Sequence, residues 1–192
     1  MPSLLLYIHG FNSSPLSAKA EQMRAWCELQ RPDIKLEVPR LACYPAEAAH
    51  QLKHIIETYK GGYHIGLVGS SLGGYLSTWL NAQYGCRAAL VNPAVKPYDL
   101  LAYYLGPQQN PYTGEEYLLE PHHMDELKAL DVASISHPER LWLLQQEGDE
   151  VLDYREAVAK YQGCRQTVEA GGDHAFVGFD RYPAEIIQFL GL

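Results

Sequence analysis

The sequence alternates regularly between apolar runs of strand length and amphipathic stretches of helix length. This alternation is typical of a parallel sheet with helices on both faces, because crossover helices join parallel neighbours. Several of the runs are apolar throughout, as expected for strands that are buried on both sides. Six strands are predicted, at Leu4–His9, Ile34–Val38, His64–Gly69, Arg87–Val91, Leu141–Gln145 and Arg165–Glu169.

The amphipathic stretches predict the helices of the two outer layers. Between Ala46 and Tyr59, for example, apolar residues recur at three- and four-residue spacing and form one stripe. The predicted helices extend over Ser17–Leu29, Ala46–Tyr59, Leu72–Tyr84, Asp153–Tyr161 and Ala184–Leu190. Because 192 residues is an ordinary length for one domain, we predict a single three-layer α/β domain over residues 1–192.

One long segment, residues 92–137, interrupts the alternation and is rich in proline and tyrosine. We predict short helices near Tyr98–Leu105 and Met124–Leu130, with irregular chain between them. A long excursion at the edge of a compact sheet is more often a binding loop or lid than a second domain. We therefore expect a cap over the site; the alternative is a structural elaboration with no role in binding.

Composition argues against several kinds of partner. The net charge is −8 and no basic run occurs, so we expect no nucleic-acid partner. The four cysteines form no Cys-x-x-Cys pair, which favours reduced thiols over disulfides or zinc. The N-terminal apolar run is too short to span a bilayer and has no signal-peptide features, so we expect a cytoplasmic protein without a membrane span.

The motif Gly69-Ser70-Ser71-Leu72-Gly73 lies between a predicted strand and a predicted helix. This setting is typical of a serine nucleophile on a tight turn, where glycines leave room and the helix N-terminus places amides near developing negative charge. Ser70 is the competing hydroxyl, but it occupies the variable position of the motif. We therefore predict Ser71 as the nucleophile; an idle serine in a glycine-rich turn is the alternative.

A serine hydroxyl needs a base, and position in the chain selects one of the eight histidines. His174 follows the last predicted strand, and Asp149 follows the preceding one, so both are expected at the edge where catalytic groups gather. Asp149 would hold the imidazole in the correct tautomer. Asp153 is better placed to cap a helix. Asp173 is adjacent to His174 in sequence, so the two side chains are expected to point in different directions. The order Ser71, Asp149, His174 is that of α/β-hydrolases.

Other histidines do not suggest a metal site. His50 and His54 are four residues apart but have no third ligand nearby, and a solvated helix face explains them. His122 and His123 are adjacent, so their side chains are expected to diverge. We predict no metal and no cofactor.

Two backbone amides are predicted to bind the oxyanion of a tetrahedral intermediate. One is the amide of Leu72, directly after the nucleophile. The other is the amide of Phe11 in the loop after the first strand, where Gly10 permits a sharp turn. His9 is expected to shape this loop rather than transfer protons.

These motifs together resemble those of the YqiA-type esterases, a family of small bacterial α/β-hydrolases. The segments that carry the resemblance are His9–Pro15, Gly69–Tyr75, Val91–Val95, Asn110–Gly114, Trp142–Gln146, Gly148–Arg155 and His174–Phe176. The resemblance extends over nearly the whole chain and implies a minimal α/β-hydrolase fold with the triad Ser71, Asp149 and His174. It also implies carboxylesterase or thioesterase activity, with acyl-CoA and simple aryl esters as substrates.

A small-molecule ester or thioester is therefore the predicted substrate. The acidic net charge offers no evident cradle for the phosphates of CoA, so CoA is one candidate among several. A hydrolase-fold binding protein without turnover is the alternative function, and a peptidase is a minor one. The sequence does not specify the oligomeric state. The predicted substrate contacts in segment 92–137 are Tyr103, Tyr104, Tyr112 and Tyr117; the alternative is that they bury this segment onto the body of the protein.

Overall fold

A computed structural model describes all residues from Met1 to Leu192. The strands are β1 (Ser3–Ile8), β2 (Lys35–Glu37), β3 (His64–Ser70), β4 (Arg87–Val91), β5 (Gly106–Gln109), β6 (Glu116–Leu119), β7 (Leu141–Gln146) and β8 (Arg165–Glu169). Six of them form one parallel sheet in the order β2-β1-β3-β4-β7-β8. This sheet contains all six predicted strands, each within one residue of its predicted bounds.

Helices cover both faces of the parallel sheet, as predicted. They are α1 (Ala18–Gln30), α2 (Pro45–Tyr59), α3 (Leu72–Tyr84), α4 (Pro97–Leu101), α5 (Pro121–Lys128), α6 (Tyr154–Lys160) and α7 (Pro183–Leu190). One core cluster joins the sheet to α1 and α7, and a second joins it to α2, α3 and α6. Alternate residues of β1 enter opposite clusters because successive side chains of a strand point to opposite faces.

Segment 92–137 contains the two predicted helical stretches, as α4 with a following 3₁₀ turn and as α5. The prediction of irregular chain between them is wrong, because β5 and β6 pair there as an antiparallel hairpin. Alternate residues of β6 are buried, which is the pattern of a half-buried strand. At the hairpin turn, the Asn110 carboxamide oxygen accepts hydrogen bonds from the amides of Tyr112 and Thr113.

None of the helices is both long enough and apolar enough to cross a membrane.

The start of α3 packs unusually close to β1 and β3. A Cβ on Gly73 would overlap the carbonyl oxygen of Ile8, and a Cβ on Gly69 would overlap the carbonyl oxygen of Gly73. A Cβ on the next residue, Gly74, would lie only 2.6 Å from the Cβ of Pro93. Glycine at these three positions therefore allows the turn from β3 into α3 to form in close contact with β1 and with Pro93.

We predict that Gly73→Ala lowers the free energy of unfolding by about 3 kcal/mol or more, because the added methyl must displace backbone atoms of β1. The matched control is Gly61→Ala, where a Cβ meets no atom within 4 Å; its stability should stay within about 0.5 kcal/mol of wild type. Chemical denaturation followed by circular dichroism measures both variants. Equal stability of the two variants would contradict the close packing.

Candidate active site

Ser71 lies at the junction of β3 and α3 with φ 55° and ψ −118°. A positive φ costs a residue other than glycine about 1–3 kcal/mol, so the surrounding structure must hold it in place. The Ser71 amide donates to the carbonyl of Val91 at 3.1 Å, and the Ser71 carbonyl accepts from the amides of Gly74 and Ala94. Both peptide groups of this serine are thus anchored, and the residue lines a cavity of about 300 Å³ at the carboxyl end of the sheet.

Asp149 and His174 form a hydrogen-bonded pair in the loops after β7 and β8. Their Oδ2 and Nδ1 atoms are 2.8 Å apart, and the Asp149 side chain is 0% exposed. Burial favours the neutral carboxyl, but hydrogen bonds from His174 and from two backbone amides outweigh burial and lower the pKa of Asp149 below its ordinary value. The carboxylate is therefore ionised at neutral pH and fixes the tautomer that carries a proton on Nδ1.

His174 lines the same cavity as Ser71, hereafter the Ser71 cavity. The structure thus brings the three sequence-predicted residues to one place: Asp149 holds the ring of His174, and His174 and Ser71 line one cavity. The side chains of Ser71 and His174 form no direct hydrogen bond with each other.

The two predicted oxyanion donors, Phe11 and Leu72, also line the Ser71 cavity. Neither backbone amide donates a hydrogen bond to any acceptor in the protein. The loop after β1 passes close to the serine, since a Cβ on Gly10 would lie 3.3 Å from the Cβ of Ser71. Two free amide donors therefore lie on segments adjacent to the serine.

His9 fixes the peptide group that carries the Phe11 amide. Its Nδ1 donates to the Gly10 carbonyl at 2.9 Å, and its Nε2 accepts from the Leu41 amide at 3.1 Å. This arrangement requires a neutral ring, and burial lowers the pKa of His9 accordingly. Since the Gly10 carbonyl and the Phe11 amide belong to one peptide plane, His9 shapes the loop in the way expected from the sequence.

The four tyrosines predicted as substrate contacts are placed differently. Tyr104 lines the Ser71 cavity, and Tyr117 lines a neighbouring cavity behind the Phe11 loop. Tyr103 is 89% exposed and Tyr112 is 57% exposed, and neither lines the Ser71 cavity. The structure therefore brings only Tyr104 beside Ser71.

Glu120, His122 and His123 offer potential ligand atoms within 4.8 Å of one another. The prediction that the two histidine side chains diverge is wrong, because their ring centroids lie 4.0 Å apart in the first turn of α5. Two of the three groups already cap this helix: Glu120 accepts from the His123 amide, and Nδ1 of His123 accepts from the Glu120 amide at 2.9 Å. A metal ion at this place would compete with the cap.

A family model described as Uncharacterised protein family (UPF0227) matches residues 4–191, almost the whole chain. The chain belongs to this family. The resemblance to the YqiA-type proteins that the sequence motifs indicated is thereby confirmed.

Solved structures with the α/β-hydrolase fold resemble this UPF0227 chain at low sequence identity. A protein from Agrobacterium vitis S4 has a TM-score of 0.77 at 17% identity, with 98% of this chain and 88% of that chain covered. Est1E from Butyrivibrio proteoclasticus, solved with ferulic acid bound, has a TM-score of 0.73 at 12% identity over 98% and 88%. Mouse alpha/beta hydrolase domain-containing protein 10 has a TM-score of 0.73 at 15% identity over 98% and 89%. These similarities confirm the predicted α/β-hydrolase fold.

Sequence reasoning assigned no role to Asn92, which organises the His174 loop. Asn92 directly follows β4, has φ 41° and is 0% exposed. Its Nδ2 donates to the carbonyls of Asp173 and His174 at 2.9 and 3.1 Å, and its Oδ1 accepts from the Gln146 amide at 2.9 Å. The sequence feature that could have identified Asn92 is its position directly after a buried strand, at the sheet edge where Ser71 also lies.

Gln146 and Glu150 hold the same loop from the end of β7. The Gln146 carboxamide oxygen accepts from the amides of Asp173 and Val177, and its Nε2 donates to the Val177 carbonyl at 2.8 Å. The Glu150 carboxylate accepts from the His174 amide at 2.9 Å. The position of His174 is therefore determined by side chains from two neighbouring strand ends.

We predict that Asn92→Gly loosens the His174 loop, since glycine accepts the positive φ but makes none of the side-chain hydrogen bonds. Amide hydrogen exchange in residues 171–177 should accelerate, and stability should fall by about 1–3 kcal/mol because the buried Gln146 amide loses its acceptor and two loop carbonyls lose their donor. Exchange followed by mass spectrometry measures the effect.

The matched control for that experiment is Asn12→Gly. Asn12 also has a positive φ, of 51°, but its side chain bonds to Tyr117 and Gln108 of the hairpin. This variant should leave exchange in residues 171–177 unchanged. Equal effects of the two variants on that loop would refute the role assigned to Asn92.

Proposed function

We propose that this UPF0227 protein is a serine hydrolase that cleaves carboxylic esters through an acyl-enzyme on Ser71. The observation that carries the proposal is the hydrogen bond between the buried Asp149 carboxylate and His174, because His174 lines the same cavity as Ser71. The free amides of Phe11 and Leu72 on the same cavity support it further. A binding protein would need neither a paired base nor two unpaired donors beside a serine.

In the proposed reaction, Ser71 Oγ attacks the ester carbonyl carbon while Nε2 of His174 takes the hydroxyl proton. The carbonyl electron pair moves to oxygen, and the amides of Phe11 and Leu72 bind the resulting oxyanion. Collapse of this intermediate breaks the bond to the alcohol, which leaves with the proton from His174. Water then attacks the acyl-enzyme in the same way and regenerates Ser71.

Asp149 supports both proton transfers by stabilising the imidazolium form of His174. Burial alone would raise the pKa of Asp149, but hydrogen bonds from His174 and two backbone amides outweigh burial and lower the pKa below its ordinary value, so the ionised form is favoured. Hydrolysis should therefore show no loss of activity from Asp149 titration at neutral or mildly acidic pH.

The lining of the Ser71 cavity favours uncharged esters. It includes no lysine or arginine that could pair with a phosphate. Est1E, which shares the fold, was solved with ferulic acid, an aromatic carboxylic acid, bound to it. We propose oxygen esters as the main substrates and acyl thioesters as a second class, because the lining offers no cation for the phosphates of a CoA thioester. Segment 92–137 serves as the cap of this site in our proposal.

A fluorophosphonate probe should label the wild-type protein covalently at Ser71, because the probe reacts preferentially with an activated serine. Labelling should disappear in Ser71→Ala and persist in Ser70→Ala, the neighbouring buried serine of β3. Peptide mapping by mass spectrometry identifies the site. A wild-type protein that stays unlabelled, and that binds esters without hydrolysing them, would instead support a binding function.

Asp149→Asn should lower kcat by about 10⁴, because an asparagine leaves the histidine in the wrong tautomer. Asp153→Asn is the matched control: Asp153 caps α6 by accepting from the Arg155 amide, and asparagine caps about as well as aspartate. That variant should keep a kcat close to wild type. Steady-state hydrolysis of a p-nitrophenyl ester measures both, and equal losses in the two variants would refute the assignment of the acid.

A further inference from the structure

The turn that carries His174 ends in a strained residue. The Phe176 amide donates to the Asp173 carbonyl at 3.1 Å, and Phe176 has a positive φ of 66°. A residue other than glycine adopts such a φ only where the surrounding structure holds it. The ring of Phe176 is anchored in the core, with its centroid 6.2 Å from that of Phe179 and 5.7 Å from that of Tyr182. The turn also needs a contact that fixes its backbone.

Lys19 of α1 supplies such a contact. Its Nζ donates to the Ala175 carbonyl at 2.9 Å. The Ala175 carbonyl and the Phe176 amide belong to one planar peptide group, so Lys19 and the Asp173 carbonyl together fix the plane of that group. The side chains at the strand ends hold other atoms of the loop and do not bond this carbonyl.

Three carboxyl side chains surround His174. Asp149 bonds its Nδ1, Glu150 accepts from its backbone amide, and Asp173 precedes it in the chain. The Oδ1 atom of Asp173 is buried and accepts no hydrogen bond within the protein. Negative charge beside an imidazole favours the protonated ring, and a protonated ring cannot take the proton of Ser71.

The ammonium group of Lys19 offsets part of this negative charge. Burial lowers the pKa of Lys19 below its ordinary value, and attraction to the carboxylates of Asp173 and Asp149 opposes part of that shift. Because this attraction is mutual, the positive charge of Lys19 acts on both carboxylates.

Other ionisable groups near His174 do not supply this charge. Arg181 donates to the Val177 carbonyl, but it is ion-paired with Glu169 at 2.9 Å. Tyr104 is the one other ionisable side chain that lines the Ser71 cavity, and it is not a cation. Lys19 is therefore the cation without a direct carboxylate partner that reaches this loop.

We propose that Lys19 is a positioning residue for His174, which fixes the Ala175–Phe176 peptide group and offsets the negative charge around the imidazole. The proposal rests on the proposed serine hydrolase function. Lys19 does not line the Ser71 cavity, so it acts through the His174 loop and not on the substrate.

The test is the pH dependence of kcat/KM for p-nitrophenyl acetate in the wild-type protein and in Lys19→Met. The acidic limb of this profile reports protonation of the essential base in the free enzyme. In Lys19→Met the limb should move to higher pH by about 0.5–1 unit, because loss of the ammonium favours the imidazolium. The plateau above the limb should fall by about tenfold or more, since the loop is held less firmly. Lys19→Arg keeps the charge and the donors and should restore the wild-type position of the limb.

Removal of the Asp173 charge separates the electrostatic role from a loss of packing. Asp173→Asn alone should move the limb to lower pH. In the double variant Lys19→Met/Asp173→Asn the limb should return toward its wild-type position, because one positive and one negative charge are removed together. A merely structural role of Lys19 would give no such return. If Lys19→Met alone does not fold, comparison of Asp173→Asn with the double variant measures the same effect of Lys19.

The matched control is Lys53→Met, which removes one positive charge from an exposed position of α2 on the other face of the sheet. Its limb should stay at the wild-type pH.

A limb that does not move in Lys19→Met, or that does not return in the double variant, would overturn the proposal while the wild-type protein still hydrolyses the ester. Absence of both hydrolysis and fluorophosphonate labelling in the wild-type protein would instead overturn the proposed function, and the role of Lys19 with it.

Discussion

The turn at Ser71 requires β1, β3 and the start of α3 to approach more closely than side chains ordinarily allow. Gly69 and Gly73 make this approach sterically feasible, and hydrogen bonds to both peptide groups of Ser71 hold the positive φ. The same approach brings Gly10 against the serine and thereby places the Phe11 amide beside it. One packing requirement thus positions the proposed nucleophile and both proposed oxyanion donors.

The other half of the site depends on hydrogen bonds between strand ends. Asn92 after β4 and Gln146 at the end of β7 hold the backbone on both sides of His174. Asp149 then needs only to orient the ring, because the loop that carries the histidine is already fixed. The proposed nucleophile is held by close packing, and the proposed base is held by hydrogen bonds from buried polar side chains.

Local patterns were sufficient to predict the parallel sheet, because apolar runs and strand ends are visible over a few positions. The same patterns singled out Ser71, Asp149 and His174, which the structure places at one edge of that sheet. Asn92 was missed since its bonds to the His174 loop join residues 81 and 82 positions apart and leave no local pattern. The hairpin β5–β6 was missed because the prolines in this segment suggested irregular chain, whereas the Asn110 turn and the alternation in β6 specify a strand pair. Which tyrosine reaches the site depends on how that hairpin packs on the body.

The most direct test of this account is a crystal structure of the protein after reaction with a phosphonate ester, which mimics the tetrahedral intermediate. We predict phosphorus bonded to Ser71 Oγ and the phosphoryl oxygen about 2.7–3.1 Å from the amide nitrogens of Phe11 and Leu72. An adduct on another residue, or a phosphoryl oxygen beyond the reach of both amides, would contradict the account.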